Sequence, residues 1–289
     1  MKSFLFILLA LTVTNMAIAS DPPPTSLTFR SSSSVRSEIP AKLYQAENPK
    51  ALIIYIHGGS CSLPYHYPSL EFGGEDGLQL LPVLRERGYS VLFVEYAYQL
   101  SNSNYSRDRV RAQALSDLRL TPVDLCNYIT QTELEDVKKV TEQLQEINPT
   151  HLPVFMLGHS YGGYLVNRIA VSDSRPSNVR GYISYAGLWD PRLPGIDGRV
   201  DNPGTQTSHD NAPIEGNLEN VAPMLVIHSE DDPIVAINQF ELISSRGIGQ
   251  VQLLRMESGG HAATRRSENR RIARSIENFV QSLLPELRR

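Results

Sequence analysis

Apolar segments alternate along this chain with segments in which apolar residues recur every three or four positions. Short segments that are apolar throughout are typical of strands buried on both faces of a parallel sheet, whereas the wider spacing is typical of amphipathic helices. The predicted strands lie at 50–59, 89–98, 153–160, 179–189, 222–231 and 250–259, preceded by two short strands at 26–31 and 39–45. The predicted helices lie at 78–88, 132–147, 161–171, 236–247 and 267–284.

This order of elements predicts an α/β fold. Strands that alternate with helices form a mostly parallel sheet of about eight strands with helices on both faces. The 289 residues, 41% of them hydrophobic, suffice for the core of one such domain, which we place at 36–289. Thr132 and Glu135 are spaced as a capping box, so we expect a helix to begin there.

Two long segments interrupt the alternation, one near 101–131 and one near 191–221. The second is rich in proline, glycine, asparagine and aspartate. Loops of this length in a compact domain are usually functional or mobile. We therefore expect both insertions to contribute to a small cap or pocket at the active-site edge of the sheet.

The N-terminal segment predicts export. Residues 1–19 have the layout of a secretory signal peptide, with Lys2, an apolar run at 4–13 and a cleavage position after Ala19. The alternative is a membrane anchor, but the apolar run is shorter than the roughly 20 residues that a spanning helix needs. We therefore expect a secreted or periplasmic mature chain without a membrane span, beginning with an arm at 20–35.

Charge and cysteine content narrow the possible partners. The formal net charge of −4 gives no basis for binding nucleic acid. Cys61 and Cys126 allow one disulfide in an exported protein, although two separate thiols remain an alternative. The sequence contains no H-E-x-x-H metal motif and no glycine-rich nucleotide motif, so we expect neither a metal nor a cofactor.

A serine lies where a predicted strand runs directly into a predicted helix. Residues 158–162 read G-H-S-Y-G, which matches G-x-S-x-G and is followed by Gly163. In such a turn the serine is strained, and the glycines let neighbouring chain approach without a Cβ clash. Ser160 then projects its hydroxyl from the edge of the sheet, where it can act as a nucleophile.

A serine nucleophile needs a base to accept its proton and an acid to orient that base. His261 follows the last predicted strand in a glycine-containing loop, which distinguishes it from the other histidines. Three candidate acids, Glu230, Asp231 and Asp232, lie at the end of the strand before it. Because parallel strands end at the same edge of a sheet, we expect His261 and one of these acids to meet near Ser160.

Backbone N–H groups are the usual donors to the oxyanion that forms in acyl transfer. Tyr161, the first residue of the predicted helix, offers one such group. The sequence H-G-G-S after the strand at 50–59 lets the chain turn further amides toward the site, so Gly59 and Ser60 are the other candidates. We expect His57 to brace this loop and not to act as a base.

Together these motifs resemble an α/β-hydrolase over about residues 39–284. The sequence H-G-G-S resembles the oxyanion motif of the hormone-sensitive-lipase-like esterases, with Ser60 where those usually have a third glycine. The sequence G-H-S-Y-G-G-Y-L resembles the corresponding turn of the prolyl oligopeptidase family. Those peptidases carry a large N-terminal propeller, which we do not expect here because only a short arm precedes the first strands.

The resemblance also orders the triad. In α/β-hydrolases the nucleophile, the acid and the base follow one another along the chain, which implies Ser160, Asp232 and His261. The sequence D-P-I-V at 232–235 resembles the family pattern D-x-x-V and favours Asp232 over its neighbours, with Asp190 as a further alternative.

The sequence thus predicts a secreted serine hydrolase that cleaves carboxylic esters of small molecules through an acyl-enzyme on Ser160. An amidase or small exopeptidase with the same triad is the alternative, and a non-catalytic binding protein is a third hypothesis, because fold alone does not establish function. Tyr65 and Trp189 are candidates to line the substrate pocket. For Trp189, simple packing is an equal alternative.

Overall fold

The computed structural model describes residues 23–31, 38–58, 80–94, 122–144, 147–148, 151–193 and 212–284, with the side chains of 122–129 excepted. The predictions that concern the signal peptide, Gly59, Ser60 and Tyr65 lie outside the described residues and stay predictions. The same holds for the disulfide, because neither Cys61 nor the side chain of Cys126 is described.

An eight-stranded sheet forms the centre of the fold, in the spatial order β1-β2-β4-β3-β5-β6-β7-β8. The strands are β1 (Thr25–Arg30), β2 (Glu38–Tyr44), β3 (Ala51–Ile56), β4 (Tyr89–Val94), β5 (Val154–His159), β6 (Val179–Tyr185), β7 (Met224–Ser229) and β8 (Val251–Met256). β2 runs antiparallel to both β1 and β4, and the remaining pairs are parallel. The predicted mostly parallel sheet is therefore confirmed.

Five α-helices within the described residues cover the two faces of the sheet. They are α1 (Leu80–Glu86), α2 (Pro122–Gln143), α3 (Tyr161–Ala170), α4 (Asn238–Ser244) and α5 (Arg266–Leu283). Apolar side chains of α2, α3 and α4 share one buried cluster, and those of α1 and α5 share another. Successive residues of β3, such as Ile53 and Ile54, contribute to opposite clusters, as expected for a strand buried on both faces.

Helix α2 begins ten residues earlier than the capping box predicted. It starts at Pro122, a residue favoured at the first helical position because its missing N–H would have no intrahelical partner there. Thr132 and Glu135 consequently lie inside the helix, and the predicted start was wrong. The end of the expected insertion at 101–131 thus belongs to α2, while two short 3-10 turns, Pro213–Glu215 and Leu218–Asn220, form the end of the other insertion.

None of the helices among the described residues combines sufficient length with sufficient apolar character to cross a bilayer.

Candidate active site

Four parallel strands deliver the candidate residues to one edge of the sheet. Gly58 follows β3, Ser160 follows β5, Asp232 follows β7 and His261 follows β8. All four positions lie at the carboxyl ends of their strands, which is where ligands bind in open α/β sheets.

Ser160 occupies a strained turn between β5 and α3. Its φ of 56° and ψ of −120° lie in a region that non-glycine residues rarely adopt. The backbone is held on both sides, because the N–H of Ser160 donates to Tyr185 O at 2.9 Å and Tyr164 N–H donates to Ser160 O at 3.0 Å. The strained conformation predicted for this serine is confirmed, and its side chain is partly exposed.

Close packing of backbone against backbone explains the two glycines of the motif. A Cβ atom on Gly158 would lie 2.2 Å from Gly162 O, and one on Gly162 would lie 2.1 Å from Ile56 O. These distances are far below any real contact of a Cβ atom. The start of α3 therefore packs on β5 and β3 so closely that only glycine fits at both positions.

The acid and the base form a hydrogen-bonded pair. Nδ1 of His261 lies 2.9 Å from Oδ2 and 3.1 Å from Oδ1 of Asp232, whose side chain is buried. Oδ1 also accepts the N–H groups of Ile234 at 2.8 Å and Val235 at 2.9 Å. The Asp232 contact that the sequence predicted is confirmed.

The surroundings of Asp232 favour its ionised form. Burial by itself would raise its pKa, but the hydrogen bond and charge of His261, together with the N–H groups of Val235 and Ile234, hold the pKa below the usual 3.8. An ionised carboxylate at this position keeps a proton on Nδ1 of His261. The lone pair of the neutral ring is then on Nε2, as a general base requires.

Two of the alternative acids have other partners. Oε1 of Glu230 accepts from Arg255 Nε at 2.7 Å, and both carboxylate oxygens of Asp190 accept from Arg192, at 2.7 and 2.8 Å. Each carboxylate is thus directed to an arginine. Asp232 remains as the acid that contacts His261.

Asp231 has a role that the sequence did not predict. The sequence offered it only as an alternative acid, but its carboxylate accepts the N–H of Gly259 at 3.3 Å and that of Gly260 at 2.8 Å. Both glycines have positive φ angles, of 148° and 59°. Asp231 therefore holds the flexible turn that leads into His261.

Three more side chains hold the loop around His261. Nε2 of His159 donates to His261 O at 2.7 Å, the hydroxyl of Tyr185 accepts Ala263 N–H at 2.8 Å, and Asn269 Nδ2 donates to Ala263 O at 2.8 Å. Sequence reasoning assigned no role to His159, Tyr185 or Asn269. The G-H-S-Y-G sequence does place His159 next to the nucleophile, but no local pattern indicates what its ring contacts.

Two further buried histidines brace neighbouring loops. Nδ1 of His57 donates to Gly58 O at 2.8 Å, and burial lowers the pKa of His57 to about 4. Nε2 of His228 donates to Val235 O at 2.9 Å, and burial likewise lowers the pKa of His228. Bracing of the loop after β3 by His57 agrees with the sequence prediction.

The loop after β3 lies directly beside Ser160. A Cβ atom on Gly58 would lie 3.1 Å from Cβ of Ser160. Tyr161 is the first residue of α3, where backbone N–H groups have no intrahelical acceptor. The position of Tyr161 fits an oxyanion donor, whereas the roles of Gly59 and Ser60 stay predictions.

The side chain of Tyr161 ties the start of α3 to α2. Its hydroxyl donates to Glu133 Oε2 at 2.8 Å and lies 2.8 Å from Thr130 Oγ1. Glu133 and Thr130 are both buried. These bonds fix the ring of Tyr161, the residue that follows Ser160.

Trp189 lies in the core. Its side chain is fully buried, and its backbone N–H donates to Gln239 Oε1 at 2.8 Å. This position favours the packing alternative over contact with substrate.

No three histidine, cysteine, aspartate or glutamate side chains cluster suitably for a metal ion in the part of the chain that the structure describes.

Known structures share the fold. An acylaminoacyl peptidase from Pyrococcus horikoshii aligns with a TM-score of 0.61 and 18% identity over 89% of this chain, which spans 40% of that protein. A puromycin-hydrolyzing peptidase from Mycobacterium tuberculosis aligns with a TM-score of 0.61 and 15% identity over 90% of this chain and 39% of that one. The esterase domain of a Rhodothermus marinus protein aligns with a TM-score of 0.58 and 17% identity over 90% of this chain and 98% of the domain.

Sequence comparison gives the family. No curated protein matches the chain at a significant level. Residues 127–286, more than half of the chain, match the prolyl oligopeptidase family, peptidase S9. The matched range contains the strained serine turn and the acid–base pair described above. The chain therefore belongs to the prolyl oligopeptidase family and has the α/β-hydrolase fold.

Proposed function

We propose that this protein cleaves carboxylic esters of small molecules through an acyl-enzyme on Ser160. The observation that carries the proposal is the hydrogen bond of 2.9 Å between His261 Nδ1 and Asp232 Oδ2, at the same sheet edge as the strained Ser160. The residue before Ser160 is hydrogen-bonded to the backbone of His261, so nucleophile and base belong to one connected site.

The first half of the reaction forms the acyl-enzyme. Nε2 of His261 accepts the hydroxyl proton as Ser160 Oγ attacks the carbonyl carbon, and Asp232 stabilises the resulting imidazolium. The N–H of Tyr161 and that of Gly59 or Ser60 bind the oxyanion. His261 then returns the proton to the departing alkoxide, which leaves as an alcohol.

The second half of the reaction releases the carboxylic acid product. Water attacks the acyl-enzyme and gives its proton to His261 Nε2, and the tetrahedral intermediate collapses to the carboxylic acid. Ser160 recovers its proton from His261. Each half thus uses the same base and the same oxyanion donors.

Solved structures that share this fold include esterases and an acylaminoacyl peptidase, and the fold alone does not establish the substrate. The ester is favoured by the sequence H-G-G-S, which resembles the oxyanion motif of the hormone-sensitive-lipase-like esterases. The family description favours the second candidate function, an amidase or small exopeptidase with the same triad. A non-catalytic binding protein is the third and least supported candidate, because the acid–base pair is intact.

A substrate panel separates these candidates. The purified protein and its Ser160→Ala variant should be assayed on p-nitrophenyl esters of increasing acyl length and on aminoacyl p-nitroanilides. The proposal expects ester hydrolysis that the variant lacks. Faster turnover of the anilides would favour the peptidase, and the absence of turnover on either set would contradict a hydrolase.

Export is part of the same proposal and rests on the layout of residues 1–19. Expression of the full chain in a bacterial host, followed by mass spectrometry of the mature N-terminus, tests it. A mature chain that begins at Ser20 in the periplasm or medium is expected. An intact N-terminus in the cytoplasm would contradict export.

A further inference from the structure

We propose that His159 is a positioning residue, which holds the loop of the catalytic base against the nucleophile through the hydrogen bond from its Nε2 to His261 O. This inference rests on the proposed function, because it assigns His261 as the base and Ser160 as the nucleophile. It adds a residue outside the triad and the oxyanion donors.

The contact joins the two halves of the active site directly. His159 is the last residue of β5 and immediately precedes Ser160. Its Nε2 lies 2.7 Å from His261 O, and the two imidazole rings lie 4.8 Å apart between centroids. No other hydrogen bond shown among the described residues joins the nucleophile turn to the backbone of His261.

The ring of His159 is fixed on its remaining sides. It packs on Tyr185 with a centroid distance of 5.2 Å, and it is buried. A Cβ atom on Gly58 would lie 3.5 Å from His159 Nδ1, so the loop after β3 passes beside the other ring nitrogen. The donor is thus preorganised and loses little freedom when it holds the loop.

The loop needs such support because of its own sequence. Gly259 and Gly260, both with positive φ, precede His261 and give the backbone wide conformational freedom. Asp231 restrains the two glycines, and His159 restrains His261 itself. A displacement of about 1 Å at a catalytic group can cost roughly 100-fold in rate.

The protonation state of His159 suits this role. A carbonyl accepts the bond, so Nε2 carries the proton, and in the neutral ring Nδ1 carries none. Burial lowers the pKa of His159 to about 3, and repulsion from a protonated His261 acts in the same direction, whereas the hydrogen bond to His261 O and the charge of Asp232 oppose the shift. His159 therefore stays a neutral donor while His261 becomes a cation during the reaction.

Two substitutions separate the hydrogen bond from the packing of the ring. His159→Phe keeps an aromatic ring against Tyr185 but has no donor, whereas His159→Gln keeps an N–H donor at a similar reach but has no ring. For the best ester, we expect kcat to fall about 10- to 100-fold in His159→Phe with KM changed less than about twofold. We expect His159→Gln to recover most of that loss.

The outcomes decide the proposal. Wild-type kcat in His159→Phe, or equal losses in both variants, would overturn it, because a purely structural ring would give the second pattern. A wild-type protein that hydrolyses nothing would instead overturn the proposed function.

Ring nitrogen shifts of ¹⁵N-labelled histidines provide a readout that does not depend on activity or on the folding of the variants. We expect a neutral His159 with its proton on Nε2 throughout pH 5–8. A proton on Nδ1, or a charged ring in this range, would overturn the positioning role.

Discussion

Asp232 and His261 are 29 positions apart in the sequence, yet Nδ1 of His261 lies 2.9 Å from Oδ2 of Asp232. The separation is bridged because β7 and β8 are parallel neighbours that end at the same edge of the sheet. The carboxylate is buried and accepts two backbone N–H groups besides the histidine. Neighbouring strands and backbone hydrogen bonds therefore fix the orientation of the Asp232 carboxylate toward His261.

Asp232→Asn should reduce kcat about 10⁴-fold, because an amide no longer stabilises the His261 cation or holds its proton on Nδ1. The neighbouring Asp231→Asn is the matched control. It loses one acceptor for a glycine N–H, so the expected loss is less than about tenfold. Steady-state kinetics of both variants on one ester test this prediction. A larger loss of kcat in Asp231→Asn than in Asp232→Asn would contradict the assignment of Asp232 as the acid.

Gly162→Ala should prevent the formation of the nucleophile turn. The added Cβ would lie 2.1 Å from Ile56 O and 2.5 Å from His57 O, so the backbone itself must move. We expect a loss of about 3 kcal/mol or more in the free energy of unfolding. Urea denaturation measures this quantity.

Gly249→Ala is the control for this substitution, because among the described residues no heavy atom outside Gly249 and its two chain neighbours lies within 4 Å of the added Cβ. We expect its free energy of unfolding to stay within about 1 kcal/mol of the wild type. Equal stabilities of the two variants would show that the close approach at Gly162 is not real.

Stability should fall as the pH falls below about 6.5. Burial lowers the pKa of His57 to about 4 and that of His159 to about 3, and it also lowers the pKa of His228. Unfolded histidines titrate near pH 6.5, so between this pH and the lower folded pKa values the unfolded chain binds more protons than the folded one. The free energy of unfolding is therefore highest above pH 6.5 and decreases as the pH falls.

The contribution of His57 alone amounts to at most roughly 3 kcal/mol between pH 7 and 4. Urea midpoints at pH 7.5, 6 and 5 measure the sum. The His159→Gln variant should show a weaker dependence on pH, since it lacks one of these groups. A urea midpoint of the wild type that stays constant over this pH range would contradict the prediction that these histidines are buried and neutral.

Local patterns were sufficient to predict the placement of the candidate residues at one edge of the sheet. The strained turn of Ser160 could be predicted because its strand, glycines and helix are contiguous. The contact between Asp232 and His261 could be predicted because each follows the end of an apolar strand. The contacts of His159 and Asp231 could not be predicted, since they join loops whose proximity depends on strand order. The start of α2 was missed because Thr132 and Glu135 imitate a helix cap inside a longer helix.

Covalent labelling of Ser160 tests the central claim most directly. The wild-type protein should be treated with a fluorophosphonate at neutral pH and analysed by intact mass and peptide mapping, alongside Ser160→Ala and His261→Ala. We expect one adduct, on Ser160, that is absent from Ser160→Ala and forms far more slowly in His261→Ala. An adduct on another residue, or equal labelling of the wild type and Ser160→Ala, would contradict Ser160 as the activated nucleophile.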